Sequence, residues 1–279
     1  MKELLEGSLK MNALIFKEFG ELELLFEGGQ KKVYKGYDST YGNIVLKIIA
    51  LSDKQIIDRA MRELEIASKL NGSKYFSVVH EYKFLEHNGE NHLFILEKFI
   101  EGPTLRQYLE MNGTLELKEV LEIAKQLLNA LSKLHKLNLV HRDVKPENII
   151  INKGQITLLD LGIARDLSEA SLTADLAFFG PMTIGYAAPE QIKNQKQIIC
   201  NRTDLFAWAI VVYEVYTGFN PFKIGKSGRE DILISTLNED VPLLNTANIK
   251  LNEIVEKCLE KAVHRRPISS DFILDYLEG

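Results

Sequence analysis

Several classes of protein are excluded by what this sequence lacks. Only two cysteines occur in 279 residues, Cys200 and Cys258, and they lack a CxxC spacing, so we expect neither a disulfide framework nor a zinc site. A net charge of −5 lacks the basic excess of a general nucleic-acid binder, so no nucleic-acid partner is expected. The N-terminus is acidic where a secretory signal needs a basic start, and the longest clean apolar run, 206–213, is too short to span a bilayer. These absences predict a soluble protein of the cytoplasm with no membrane partner.

The features that are present divide the chain into two halves. From about 22 to 99, short runs of β-forming residues dominate, interrupted by one helical segment at 53–70. The rest of the chain has mainly helical patterns. We therefore expect residues 1–20 to form an N-terminal extension, residues 21–101 a small strand-rich lobe, and residues 102–279 a larger helical lobe. A cleft between two such lobes is a default ligand site.

The stretch HRDVKPENIIINKGQITLLDLG, residues 141–162, carries the strongest chemical signal. It places Asp143, Lys145 and Asn148 in one short loop, ahead of a hairpin-like pair of strands that returns Asp160. Two carboxylates and an amide suit Mg²⁺, a hard cation that prefers oxygen ligands. A nearby lysine neutralises a transferring phosphoryl group, and a carboxylate takes the proton of an acceptor hydroxyl. The pattern therefore predicts phosphoryl transfer.

This stretch strongly resembles the protein kinase family, of the serine/threonine type and bacterial-like, and the resemblance runs from about residue 22 to 277. It implies an α+β, bilobal protein-kinase fold, with a small antiparallel-sheet lobe that carries one helix and a larger, mainly helical lobe. It also implies ATP-dependent phosphorylation of serine or threonine in a protein substrate, with ATP and Mg²⁺ (or Mn²⁺) as cofactors. By this resemblance Asp143 is the catalytic base and Lys145 the phosphate-neutralising lysine, while Asn148 and Asp160 are the magnesium ligands. The oligomeric state stays open.

Lys47, in the strand NIVLKII, matches the family's lysine that contacts the nucleotide phosphates. Its helical partner is either Glu63 or Glu65, and residues two apart on a helix do not share a face. Glu63 has mainly apolar neighbours, whereas Glu65 lies on a wetter surface. We therefore expect a pair between Lys47 and Glu63.

The loop that precedes Lys47 departs from the family pattern. Within LLFEGGQKKVYKG, only the middle glycine of GxGxxGxV survives, and Gly29 is an extra one. The aligned positions are Phe26, Gly28, Lys31 and, for the valine, Val33. Forcing a residue other than glycine into a left-handed conformation costs about 1–2 kcal/mol, or about tenfold. Losing an electrostatic group from a reaction centre costs on the order of 100- to 1000-fold. We therefore expect altered nucleotide binding but preserved chemistry.

The segment LEKFIEGPTL contains the expected connection between the lobes, where the main chain from Glu97 to Phe99 would hydrogen-bond adenine. Two registers remain open. Alignment without a gap places Glu97 at the back of the adenine pocket, whereas one inserted residue places Leu96 there. Because a buried, unpaired glutamate is costly, we favour Leu96.

Residues 164–191 resemble an activation segment that ends at APE. Thr183 matches the threonine that lies near the acceptor-binding loop. A phosphate in this segment would pair with Arg142 and order the loop. The candidate phosphorylation sites are Ser168, Ser171 and Thr173.

Further matches imply structural roles and help to rank the functions. Asp204 would support the catalytic loop through backbone hydrogen bonds, and Arg266 would form a buried bridge with Glu190.

An active serine/threonine protein kinase is favoured because every reaction-centre position is filled. A pseudokinase that acts as a nucleotide-binding scaffold or regulator has the poor glycine loop as its support. A small-molecule kinase is disfavoured by TIGYAAPE, Asp204 and Arg266, which resemble peptide-binding parts.

Overall fold

The computed structural model describes residues 21–28, 31–87, 90–161, 165–166 and 182–279. The chain divides into two compact units, Met1–Ile100 and Glu101–Gly279. The predicted extension, residues 1–20, lies outside the described residues.

The first unit contains a five-stranded antiparallel sheet with the strand order β1-β2-β3-β5-β4. Its strands are β1 (Glu23–Glu27), β2 (Lys31–Asp38), β3 (Gly42–Ala50), β4 (Val79–His87) and β5 (Glu90–Lys98). Helix α1 (Lys54–Leu70) begins after Asp53, whose side chain accepts the N–H of Ile56 at 3.0 Å. That bond satisfies one of the amides that the first turn leaves without a helical partner.

The alternation of side chains along β3 and β5 gives the sheet two different faces. One face carries an apolar cluster made of Ile44, Leu46, Ile48, Phe94 and Leu96. The other face packs against α1 through a second cluster made of Ile49, Ala60, Leu64, Leu93 and Ile95. The strands at the centre of the sheet are therefore buried on both faces.

The second unit is mainly helical. Its helices are α2 (Leu105–Asn112), α3 (Leu117–Lys136), α4 (Pro189–Ile192), α5 (Asn201–Thr217), α6 (Arg229–Asn238), α7 (Ile249–Cys258) and α8 (Ser270–Glu278). Helix α5 is buried on all sides over most of its length, as its apolar run FAWAIVVY predicts. It is bonded to α3 through Trp208, whose indole N–H donates to the carbonyl of Ala124 at 3.0 Å.

Short strands frame the motif-rich part of the second unit. They are β6 (Leu139–Val140), β7 (Ile149–Asn152), β8 (Gln155–Leu158) and β9 (Arg165–Asp166). Strands β7 and β8 form the predicted hairpin, and its two loop residues, Lys153 and Gly154, have φ values of 48° and 79°. Two left-handed residues between the strands are typical of a type I′ turn. An antiparallel sheet with one described helix, followed by a mainly helical unit, confirms the predicted α+β class. None of the helices in the described part of the chain is both long and apolar enough to cross a membrane.

Candidate active site

Lys47 contacts Glu63 within the first unit. Strand β3 holds Lys47 at its centre, and the Nζ atom lies 3.1 Å from Oε1 of Glu63 on α1. Both side chains are largely buried, whereas Glu65 is 63% exposed and pairs with Lys69 at 2.7 Å. Helical periodicity thus separates the two glutamates as expected, because positions two apart point in different directions.

Glu97 is a second carboxylate partner of Lys47. In the antiparallel register Val45 is opposite Glu97 and Lys47 is opposite Ile95, so Lys47 and Glu97 lie on the same face of the sheet. Leu96 is opposite Leu46, and both belong to the apolar cluster on the other face. The premise behind the preference for Leu96, an unpaired buried glutamate, is wrong, because Glu97 pairs with Lys47. Which of the two residues lies at the back of the adenine pocket stays a prediction.

The main chain that follows Glu97 is partly engaged inside the first unit. The N–H of Lys98 donates to the carbonyl of Val78 at 2.8 Å, and the N–H of Phe99 donates to the carbonyl of Asn43 at 3.1 Å. The ring of Phe99 lies 4.7 Å from Nζ of Lys35. Two of the three amide donors of the expected adenine-binding segment, Glu97 to Phe99, are therefore already used within the first unit.

The structure describes the glycine-poor loop up to Gly28 and again from Lys31. The N–H of Gly28 donates to the carbonyl of Lys31 at 2.9 Å, and Val33 pairs directly with Lys47 across β2 and β3. A Cβ atom on Gly28 would lie 3.0 Å from the ring of Phe26, so a larger residue there would displace that ring. Gly29 lies outside the described residues.

Asp204 anchors the loop of the second unit that carries Asp143. Its buried carboxylate accepts the backbone N–H groups of His141 and Arg142, each at 2.8 Å, and contacts Nε2 of His135 at 2.9 Å. Arg142 has a φ of 70°, a left-handed conformation that costs free energy in any residue other than glycine. The bonds to Asp204 hold the loop in this conformation, as the sequence predicts for that residue.

Three side chains predicted for the site meet around the carboxylate of Asp143. Oδ1 accepts the hydroxyl of Thr183 at 2.6 Å, and Oδ2 lies 2.6 Å from Nζ of Lys145. The same Nζ donates to the Thr183 hydroxyl at 2.7 Å, while Nδ2 of Asn148 donates to Oδ2 of Asp143 at 2.9 Å. Asp143 is therefore held by three donors, one of which is the ammonium group of Lys145.

The β7–β8 hairpin brings the chain back to Asp160. The carbonyl of Asn148 accepts the N–H of Leu159 at 2.7 Å, which ties the loop before the hairpin to the residues after it. Asp160 has a φ of 61°, and the next residue, Leu161, is buried. Aspartate tolerates this left-handed conformation better than most residues do.

The protein kinase domain family matches residues 19–275, which is most of the chain. This chain belongs to the protein kinase family. The predicted family and fold class are thereby confirmed.

The kinase chain is also similar to bacterial proteins named serine/threonine-protein kinases. The probable kinase PknB of Lactococcus lactis subsp. lactis (strain IL1403) is 31% identical over 255 residues, which cover 89% of this chain and 37% of that protein. PrkC of Bacillus subtilis (strain 168) is 31% identical over 251 residues, covering 88% and 37%. PknL of Mycobacterium tuberculosis (strain ATCC 25618 / H37Rv) is 33% identical over 220 residues, covering 77% and 52%. The kinase chain thus spans about a third to a half of the length of these relatives.

The side chains present fit the magnesium ion that a kinase implies. Nδ2 of Asn148 is used in bonds to Asp143, which leaves the amide oxygen as a donor for a cation. Together with the carboxylate of Asp160 it would supply the hard oxygen atoms that Mg²⁺ and Mn²⁺ prefer. No group of three His, Cys, Asp or Glu side chains suited to a metal occurs among the residues that the structure describes.

Sequence reasoning missed a charged cluster centred on Arg106 of α2. Its guanidinium donates to Glu147 and Glu214, each at 2.9 Å, and to the hydroxyl of Tyr186 at 2.6 Å. Burial opposes the charge of Arg106, but the hydrogen bonds to the two glutamates outweigh it and raise its pKa. Burial and the charge of Glu214 also raise the pKa of Tyr186, so its hydroxyl stays protonated. The cluster ties α2, the loop that contains Glu147, the segment that contains Tyr186 and α5 together.

The regulatory residues remain predictions. Ser168, Ser171 and Thr173 lie outside the described residues. Arg142 contributes its backbone to the loop, since its N–H bonds Asp204 and its carbonyl accepts Nε2 of Gln191 at 2.9 Å.

Proposed function

We propose that this chain phosphorylates serine and threonine residues of proteins, using ATP and Mg²⁺. The observation that carries the proposal is the contact between the hydroxyl of Thr183 and Oδ1 of Asp143, beside Nζ of Lys145. A carboxylate and an ammonium are thus arranged around an alcohol oxygen, which is the group that a serine or threonine acceptor presents.

The residues divide the reaction between them. Asp143 receives the proton of the acceptor hydroxyl as the acceptor oxygen bonds to the γ-phosphorus of ATP and ADP departs. Lys145 neutralises negative charge at the reacting centre, and Lys47, held by Glu63, binds the phosphates. When bound, Mg²⁺ neutralises charge on the phosphate oxygens, and Asn148 and Asp160 would hold it.

The relatives' printed names support the choice of serine/threonine acceptors over tyrosine or small molecules. The pseudokinase alternative has little support, because the predicted base, lysines and metal ligands are all present in the chain. We place the reaction in the cytoplasm, since Cys200 and Cys258 are both free, as is usual in a reducing compartment.

The variant Asp143→Asn tests the proposal, because it removes the base while keeping the shape of the side chain. We expect the rate of phosphate transfer to a generic acceptor protein to fall by about 100- to 10,000-fold, with ATP affinity retained. Asp275→Asn, on the exposed side of α8, is the matched control and should transfer at the wild-type rate. A rate that Asp143→Asn leaves unchanged would refute the assigned role.

A further inference from the structure

Lys47 shares its single charge between two carboxylates that come from different elements. Glu63 reaches it from α1, and Glu97 reaches it along the sheet from β5. Glu97 is diagonal to Lys47 across the β3–β5 pairing, a position from which a long side chain touches its neighbour.

All three charged groups are removed from water. The side chains of Lys47, Glu63 and Glu97 are 12%, about 9% and 10% exposed. The apolar cluster that contains Ala60, Leu64, Leu93 and Ile95 lies on the same face of the sheet as Lys47. Charges in such surroundings interact more strongly than charges in water.

The charges of these three groups sum to −1 when all are ionised. One glutamate would be enough to neutralise Lys47, so the second adds a negative charge beside the group that is expected to bind phosphate. A polyphosphate must therefore compete with two carboxylates for one ammonium, and it meets additional repulsion.

We propose that Glu97 is a positioning residue that holds Lys47 together with Glu63 and limits the affinity of this chain for nucleotide phosphates. This inference rests on the proposed function, since it assigns Lys47 to phosphate binding. It concerns the phosphate-dependent part of nucleotide affinity.

The test is the variant Glu97→Gln, which keeps the shape of the side chain and removes its charge. Binding of Mg·ATP, Mg·ADP and adenosine is measured by titration calorimetry on the whole chain. We expect the ratio of ATP affinity to adenosine affinity to be about tenfold higher for the variant than for the wild type. Glu90→Gln, on the same strand but 76% exposed, is the matched control and should change neither affinity.

The ratio of ATP to adenosine affinity is the deciding quantity, because a merely structural role would change both ligands together. An unchanged ratio in Glu97→Gln, with ATP bound by the wild type, overturns the inference and leaves the proposed function standing. A wild type that binds adenosine but not ATP overturns the proposed function, and the inference with it. If Glu97→Gln does not fold, Glu97→Met provides the same comparison with an apolar side chain of similar length, and an unchanged ratio there overturns the inference equally.

Discussion

The bridge between Glu190 and Arg266 should be among the most sensitive points of the second unit. The guanidinium donates to both carboxylate oxygens, at 2.8 and 2.9 Å, and the two side chains are 1% and 0% exposed. The hydroxyl of Thr203 also donates to the carboxylate at 2.8 Å. Replacing Glu190 by glutamine would leave the charge of Arg266 buried without its counter-ion.

The expected cost follows from that burial. Removing one partner of a buried ion pair costs about 3–5 kcal/mol, because the remaining charge stays desolvated. A whole domain is stable by only about 5–15 kcal/mol, so Glu190→Gln should remove a large part of the stability of this unit. Arg265→Gln is the matched control: Arg265 is 66% exposed and lies 3.8 Å from Glu260, a surface pair worth at most about 1 kcal/mol.

Urea unfolding followed by fluorescence measures this difference within the second unit. The chain has one tryptophan, Trp208, which is fully buried on the same helix as Thr203. Its emission therefore reports on the unit that contains the bridge. A loss below about 1 kcal/mol for Glu190→Gln, with an unchanged urea dependence, would refute the reasoning.

Three further predictions concern charge and the reaction centre. Burial lowers the pKa of Lys261 to about 8, so between that value and about 10.4 the unfolded chain binds more protons and the free energy of unfolding rises with pH. Lys261→Met should reduce this rise between pH 8 and 10 in urea unfolding, and an equal rise in both proteins contradicts it. Glu63→Gln should lower kcat/KM on the order of 100-fold, because it removes the carboxylate that holds Lys47. Glu65→Gln, at an exposed position, should leave kcat/KM unchanged. Equal effects of the two variants would contradict the pairing of Glu63 with Lys47. Thr183→Val should lower kcat by roughly ten- to a hundredfold, because it removes the hydrogen bond to the carboxylate of Asp143. Thr183→Ser keeps the hydroxyl and should keep the wild-type kcat. Equal kcat values for the two variants would count against this contact.

The sequence predicts the candidate site best where the site residues lie close together in the chain. Asp143, Lys145 and Asn148 lie within six residues, so their convergence needs only a short loop and one hairpin turn. The contact between Glu63 and Lys47 was also predictable, because helical periodicity separates Glu63 from Glu65 regardless of the rest of the fold.

Residues whose contacts depend on pairing between distant segments were not predictable. Whether Glu97 or Leu96 lies on the same face of the sheet as Lys47 depends on the register of β5 against β3. The neighbouring strand β4 pairs with β5 through a bulge, which the sequence also does not reveal. Burying Glu97 therefore looked costly from the sequence, because the sequence does not show that Lys47 is its partner. Arg106 was missed for a similar reason: it is separated from Glu214 by 108 positions, and an arginine early in a short helix usually faces solvent.

The central claim is that this chain transfers phosphate to serine or threonine through the centre built around Asp143 and Asp160. The most direct measurement is incorporation of γ-labelled phosphate with Mg²⁺ and a generic acceptor protein, followed by phosphoamino-acid analysis, for the wild type and Asp160→Asn. We predict label on serine or threonine with the wild type and none with the variant, while Trp208 emission shows both proteins to be folded. A folded wild type that binds ATP and transfers no label, or label that persists in Asp160→Asn, would contradict the claim.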